Sequence, residues 1–284
     1  MKRIATILVM LTAALSGILY WLDLTRCMDL TTGFITAGPL MVRYLVMGAV
    51  LALCGLASLL LAARRPAALN RRSLPIGICC ILSSIAFAVC GGLGLAGSAQ
   101  LSSSYKILNL LFLVSALWLM LAGLSRLVST VQPPTTSALW GILGTISLYL
   151  LTVVRFGTRP TGLARVAPAV QVFAVLMALL FLTALVRGVY LPGARCGRWL
   201  YFTGLSAFFL CACLELPQTL FFWGVGTSGI DQLAIGAALG LLGVLGAVCA
   251  LGVADGELPE SQEPQQAQQE VSDPVGSTAL PPEA

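Results

Sequence analysis

Residues 200–223 read LYFTGLSAFFLCACLELPQTLFFW, a run whose single formal charge is Glu215. A helix of that length crosses the roughly 30 Å hydrocarbon core of a bilayer, where lipid offers no partners and the backbone must satisfy its own N–H and C=O groups. The run is therefore predicted to be a membrane span. Working outward, seven more runs meet the same requirement: Ile4–Leu22, Tyr44–Ala63, Leu74–Ala96, Ile107–Leu124, Ser137–Val154, Ala167–Val186 and Leu233–Val253. Amphipathic rings such as Tyr20, Trp21, Tyr44, Trp140, Tyr190, Trp199 and Trp223 fall near their ends, as expected at headgroup level. The predicted fold class is all-α: a polytopic transmembrane helix bundle of about eight spans over residues 1–253.

Composition leads to the same class from a different side. Of 284 residues, 58% are hydrophobic and 10% charged, against roughly 25% charged in an ordinary soluble domain. A soluble globule is excluded, and the short stretches between runs leave no room for a separate soluble domain. Residues 254–284 break the pattern, being rich in Pro, Gln and Glu and nearly free of large apolar groups. Such a segment buries too little surface to offset its chain entropy, so it is predicted to be a disordered acidic cytoplasmic tail, either a plain solvated extension or a docking segment for a basic partner.

The charge distribution sets an orientation. Seven of the eleven acidic residues lie after residue 253, where no basic residue occurs, so residues 1–253 carry a net charge of +12. With both termini cytoplasmic, ten basic residues fall inside, among them Arg64, Arg65, Arg71 and Arg72 in the segment ARRPAALNRR. Six fall outside: Arg26, Arg43, Lys106, Arg155, Arg159 and Arg165. The balance favours a multi-pass protein of the cell membrane with N- and C-termini in the cytoplasm. The first run follows Lys2 and Arg3 as a secretion signal would, but it is longer than the 7–15 residues typical of a signal's apolar core, so it is expected to stay as a helix. The two halves, 1–133 and 134–253, show no residue-level repeat.

Chemistry has few places to reside. The chain has no histidine, which removes the commonest general base and metal ligand and every Cys-His or Ser-His nucleophile pair. Seven of nine cysteines lie within the predicted spans, where a thiol acts as a small hydrophobe. No phosphate loop, dinucleotide fingerprint, nucleophile elbow or nucleic-acid module is present. No catalytic residue, metal site, cofactor or nucleic-acid partner is expected.

Glu215 is the principal candidate. With Trp223 at an interface, the acid lies about 12 Å deep, where insertion costs about 2.5–3.5 kcal/mol for a charged side chain. Such a group faces the bundle interior and either pairs or takes up a proton. Pro217 cannot donate to the Cys213 carbonyl, so a helix break with a freed acceptor is predicted beside the acid. Gly204, Ala207, Cys211, Glu215, Gln218 and Phe222 recur at helical spacing, putting both polar residues on one face with small ones. Broken spans with freed carbonyls are how transporters build ion and substrate sites; packing glue beside a proline kink is the plainer reading. As partners for Glu215 the outer side offers Arg43, Lys106, Arg155 and Asp231, of which Arg43 leads, as counter-charge or substrate clamp, because MVRYLVM sets it among apolar residues. Asn109 and Gln171 add hydrogen-bonding groups in the outer half.

The eighth run carries Gly236, Gly240, Gly243 and Gly246 at spacings of four, three and three. Such a stripe lets helices approach closely, within the bundle or across a homo- or hetero-oligomer. Gly91, Gly92, Gly94 and Gly97 of the third run invite the same reading. Two functions from different classes remain: handling of a small solute, ion or proton around Glu215, and a non-catalytic scaffold assembling through glycine faces. The lipid bilayer is a partner in both.

Overall fold

The computed structural model describes residues 2–29, 38–61, 73–97, 103–128, 138–158, 165–190 and 196–255. The segment ARRPAALNRR and the predicted tail beyond Asp255 lie outside the described residues. Among the described residues, nine α-helices and one π segment build eight spans: α1 (Lys2–Cys27), α2 (Leu40–Leu59), α3 (Leu74–Ala96), α4 (Ser103–Leu127), α5 (Ala138–Thr158), α6 (Val166–Tyr190), α7 (Gly197–Ala207), the π segment (Phe208–Glu215), α8 (Leu216–Gly224) and α9 (Ile230–Asp255). Each span is long and apolar enough to cross a bilayer. Among the described residues there is no strand.

The seventh span combines α7, the π segment and α8. Beside Pro217, where a helix break with a freed carbonyl is expected, the chain widens to i+5 hydrogen bonding, and the Leu216 N–H reaches the Cys211 carbonyl. Widening before the proline relieves ring crowding without breaking the rod. The Cys213 carbonyl is covered by α1, which passes so close that a Cβ on Gly17 would stand 2.5 Å from that oxygen.

α9 occupies the centre, against α1, α3, α6 and all three parts of the seventh span. The glycine stripe is what allows this. At the crossing of α7 and α9, a Cβ on Gly204 would lie 2.6 Å from the Gly246 carbonyl, and one on Gly246 would lie 2.6 Å from the Gly204 carbonyl. Further along, Gly243 faces the Ala207 carbonyl and Gly240 faces Leu216. The stripe is thus occupied by the chain's own seventh span. From α3 the bundle runs through α4, α5 and α6 to α7, an arc that α9 closes. α2 lies outside it, against α1 and α7. Ile4, Leu8, Leu11 and Leu15 on α1, and Met41 and Leu45 on α2, point outward and exposed, the surface that a hydrocarbon solvent covers.

Polar links join neighbouring spans: the Thr6 and Tyr201 hydroxyls lie 2.8 Å apart, and the Ser115 hydroxyl donates to the Gly144 carbonyl at 2.9 Å. Arg3 and Asp255, 3.6 Å apart, bring the start of α1 and the end of α9 to the same end of the bundle. The opposite end is organised by the connection from α8 to α9. There Gly226, at φ 77°, lets the Thr227 N–H return to the Phe222 carbonyl at 2.9 Å and the Gly226 N–H to the Trp223 carbonyl at 3.0 Å. This paired closure ends α8 sharply and sets the first turn of α9 over Glu215's side of the bundle.

Candidate functional site: a buried charge pair beneath two clefts

Glu215 closes the π segment with its side chain inside the bundle, 0% exposed. Its Oε1 lies 2.9 Å from Nη1 of Arg155, which is 4% exposed. Arg155 stands in the last turn of α5, where the partial negative charge of the helix end favours a cation. The predicted fifth span stopped at Val154; the helix continues to Thr158 and carries Arg155 inward.

Proximity does not mean that the pair is saturated. Nη1 donates its hydrogen bond to the Gln171 carbonyl on α6, also at 2.9 Å. Among the described residues, Oε2 of Glu215, Nη2 of Arg155 and Oε1 of Gln171 are buried without a hydrogen-bond partner, while Oε1 of Glu215 has only the ion pair with Nη1. Burying a polar group unpaired costs about 1–3 kcal/mol and more when it is charged, so three such atoms around one ion pair take stability from the fold rather than add to it.

The remaining neighbours are satisfied. Gln218, the other polar residue on the predicted face, accepts from the Tyr20 hydroxyl at 2.7 Å and donates to the Ala167 carbonyl at 3.0 Å. Thr219 folds its hydroxyl back on the Glu215 and Leu216 carbonyls, and the Cys211 thiol donates to Ala174 on α6 at 3.2 Å.

Two clefts open at this end of the bundle. One, of about 500 Å³, is bordered by Gln171, Gln218 and Thr219, with Arg165 and Asp231 among its other lining groups. The other, of about 330 Å³, is lined by Arg155, Asn109 and Tyr105 between apolar walls that include Leu108, Leu151 and Ile235. Asp231 and Gln232, in the first turn of α9, border both. Asp231 is exposed at the mouth, and the Asn109 side chain rests against Gly94, where α3 has no Cβ to exclude it.

Of the residues expected from sequence, Glu215 and Gln171 meet through Arg155, while Gln218, Asn109 and Asp231 surround the clefts. Arg43 is a correction. It does not pair with Glu215; it makes a two-pronged ion pair with Asp23 on α1, Nε to Oδ2 at 2.5 Å and Nη2 to Oδ1 at 2.7 Å. Asp23 lies one helical turn from Tyr20 and is within direct reach of the first turn of α2, so Arg43 is neutralised near the bundle's edge. The counter-charge that sequence reasoning named only in passing is Arg155. The signal was the lone arginine directly after an apolar run, VVRF.

A bundle of eight apolar spans enclosing a charge pair defines a multipass membrane protein. No protein-family model matches the chain, and comparison with curated proteins and with solved structures finds no match.

Proposed function

We propose that the protein transports a small solute or ion, and that the Arg155–Glu215 pair is the centre of its binding site. The observation that carries this reading is the group of three unpartnered polar atoms, Glu215 Oε2, Arg155 Nη2 and Gln171 Oε1, set between two clefts that open at one end of the bundle. Polar atoms buried at this cost are retained where a ligand or a proton meets them. Glu215 supplies a protonatable carboxylate, Arg155 a fixed cation, and Gln171 an orientable amide. Gln218 and Asn109 shape the approaches, and Asp231 stands at the mouth. The π segment aims Glu215 inward, and Pro217 keeps the span from closing into a regular helix. A scaffold role is less well supported, because the α9 stripe is covered by the seventh span and Gly91 and Gly94 of α3 are covered by Asn109 and Leu113 of α4. With both termini cytoplasmic, the clefts face outward.

The test loads vesicles containing the purified full chain with a defined mixture of inorganic ions, organic acids, amines and sugars, and follows their release by mass spectrometry. At least one component is expected to leave faster than from protein-free vesicles, and Glu215→Gln, still monodisperse, is expected to slow that release at least tenfold. If the wild type releases nothing faster, or if Glu215→Gln and Glu215→Leu both match it, the transport reading is wrong.

A further inference from the structure

The partner inventory around the pair indicates what the site binds, on the premise that the protein is a transporter. Two of the unpartnered atoms are acceptors, Glu215 Oε2 and Gln171 Oε1, and one is a donor, Arg155 Nη2, while Glu215 Oε1 is engaged by Arg155 Nη1. An excess of acceptors is relieved by a proton: once protonated, Glu215 becomes a donor and releases its claim on Arg155. A guanidinium does not release its own proton, so a freed Arg155 requires another anion. Arg155 lines the 330 Å³ cleft beside Asn109; Leu93, Leu108, Leu151 and Ile235 make its apolar wall, and Tyr105, Thr158, Gln232 and the exposed Asp231 add polar groups. A planar fork at one end of an apolar slot fits a carboxylate attached to a short apolar body.

We infer that this cleft binds a small organic monocarboxylate at Arg155 while Glu215 takes up one proton, and that the two cross the membrane together. The charges balance. Without ligand the site holds Arg155 cationic and Glu215 anionic; loaded, it holds Arg155 cationic, Glu215 neutral and the substrate carboxylate anionic. The sum is zero in both states, so neither carries an uncompensated charge through hydrocarbon, and transport is electroneutral. The other charged and titratable groups nearby fit this scheme. On α1, Tyr20 is bonded to Gln218, and Asp23 is held by Arg43 of α2. Cys211 is bonded to Ala174, and Cys90 of α3 lies within electrostatic reach of Arg155. Asp231 of α9 is solvated at the mouth, and Arg165 lines the neighbouring cleft. None of them supplies a second buried charge that would upset the sum.

The experiment uses the full chain in vesicles and labelled 2-oxo monocarboxylates of three to six carbons, strong acids that leak slowly, with butylammonium as the cationic control. An inward proton gradient is expected to accelerate uptake of at least one carboxylate at least tenfold, with no change when a potassium diffusion potential of either sign is imposed. In Glu215→Gln the unloaded carrier would leave Arg155 uncompensated, so net uptake should stop while one-for-one carboxylate exchange continues without response to pH. Arg155→Gln should lose both, and Arg155→Lys, which keeps the charge but not the fork, should raise the half-saturating concentration at least tenfold. The inference is overturned if uptake follows the membrane potential, if Arg155→Gln and Arg155→Lys behave as wild type, or if butylammonium is carried in place of the acids. Release of some other solute with no carboxylate uptake overturns the carboxylate assignment and leaves transport standing; release of nothing at all removes both.

Discussion

A carboxylate stranded in hydrocarbon can take up a proton and become neutral, whereas a guanidinium keeps its charge. The two halves of the Arg155–Glu215 pair should therefore differ when removed singly. Breaking a buried pair costs about 3–5 kcal/mol, and Glu215→Leu, which leaves Arg155 charged, is expected to lower the melting temperature in detergent more than Arg155→Leu does. Restoring neutrality with both substitutions together should recover most of the loss. Equal effects of the two single changes would show that both partners reach solvent. Glu215 could be singled out from one sequence because a lone acid in an apolar run has few uses. Its partner could not, because Arg155 sat one residue beyond the apolar window and pairing between spans leaves no mark on spacing along the chain. The same blindness matched Arg43 to Glu215, although Asp23 stood twenty residues away on the neighbouring helix.

At the scale of helices, the stability of the core depends on backbones that touch. Gly204 and Gly246 each meet the other's carbonyl at a distance no side chain tolerates, so Gly246→Leu is expected to cost about 1–3 kcal/mol or more by overpacking. Gly48, whose Cβ would meet nothing within 4 Å, serves as the control, and Gly48→Ala should leave the melting temperature unchanged or slightly higher. Equal melting of the two variants would contradict the packing described. Pro217→Ala restores a backbone donor beside the π segment and lets the turn relax toward α geometry. It is expected to keep or raise thermal stability while slowing solute release, by rotating Glu215 away from Arg155. Unchanged release would show that the π register does not position the acid. All eight spans were legible from apolar length, because the bilayer sets that length. The π widening was not, since a proline announces a disturbed turn without saying whether the chain kinks or changes its hydrogen-bond register.

Across the whole molecule, charge and shape point the same way. Arg43 and Arg155, two of the six cations assigned to the outer side, are held by Asp23 and Glu215 inside helices. The proposed orientation leaves Arg26, Lys106, Arg159 and Arg165 as its other outer cations, against ten on the cytoplasmic side. Thr227 is exposed in the turn before α9, so Thr227→Cys should react in intact cells with a membrane-impermeant maleimide; reaction only after lysis would invert the orientation. The balance of loop charges supplies only an expected orientation, and the clefts were not legible at all, because they form where α3, α4, α5, α6, α8 and α9 converge from distant parts of the chain. The most direct test exchanges the two signs, Arg155→Glu together with Glu215→Arg. A pair that merely joins helices tolerates the exchange, but a pair that receives a ligand does not. Solute release from loaded vesicles is expected to fall at least tenfold while the melting temperature stays near that of the wild type. Release at the wild-type rate would contradict the assignment of the pair as a binding site.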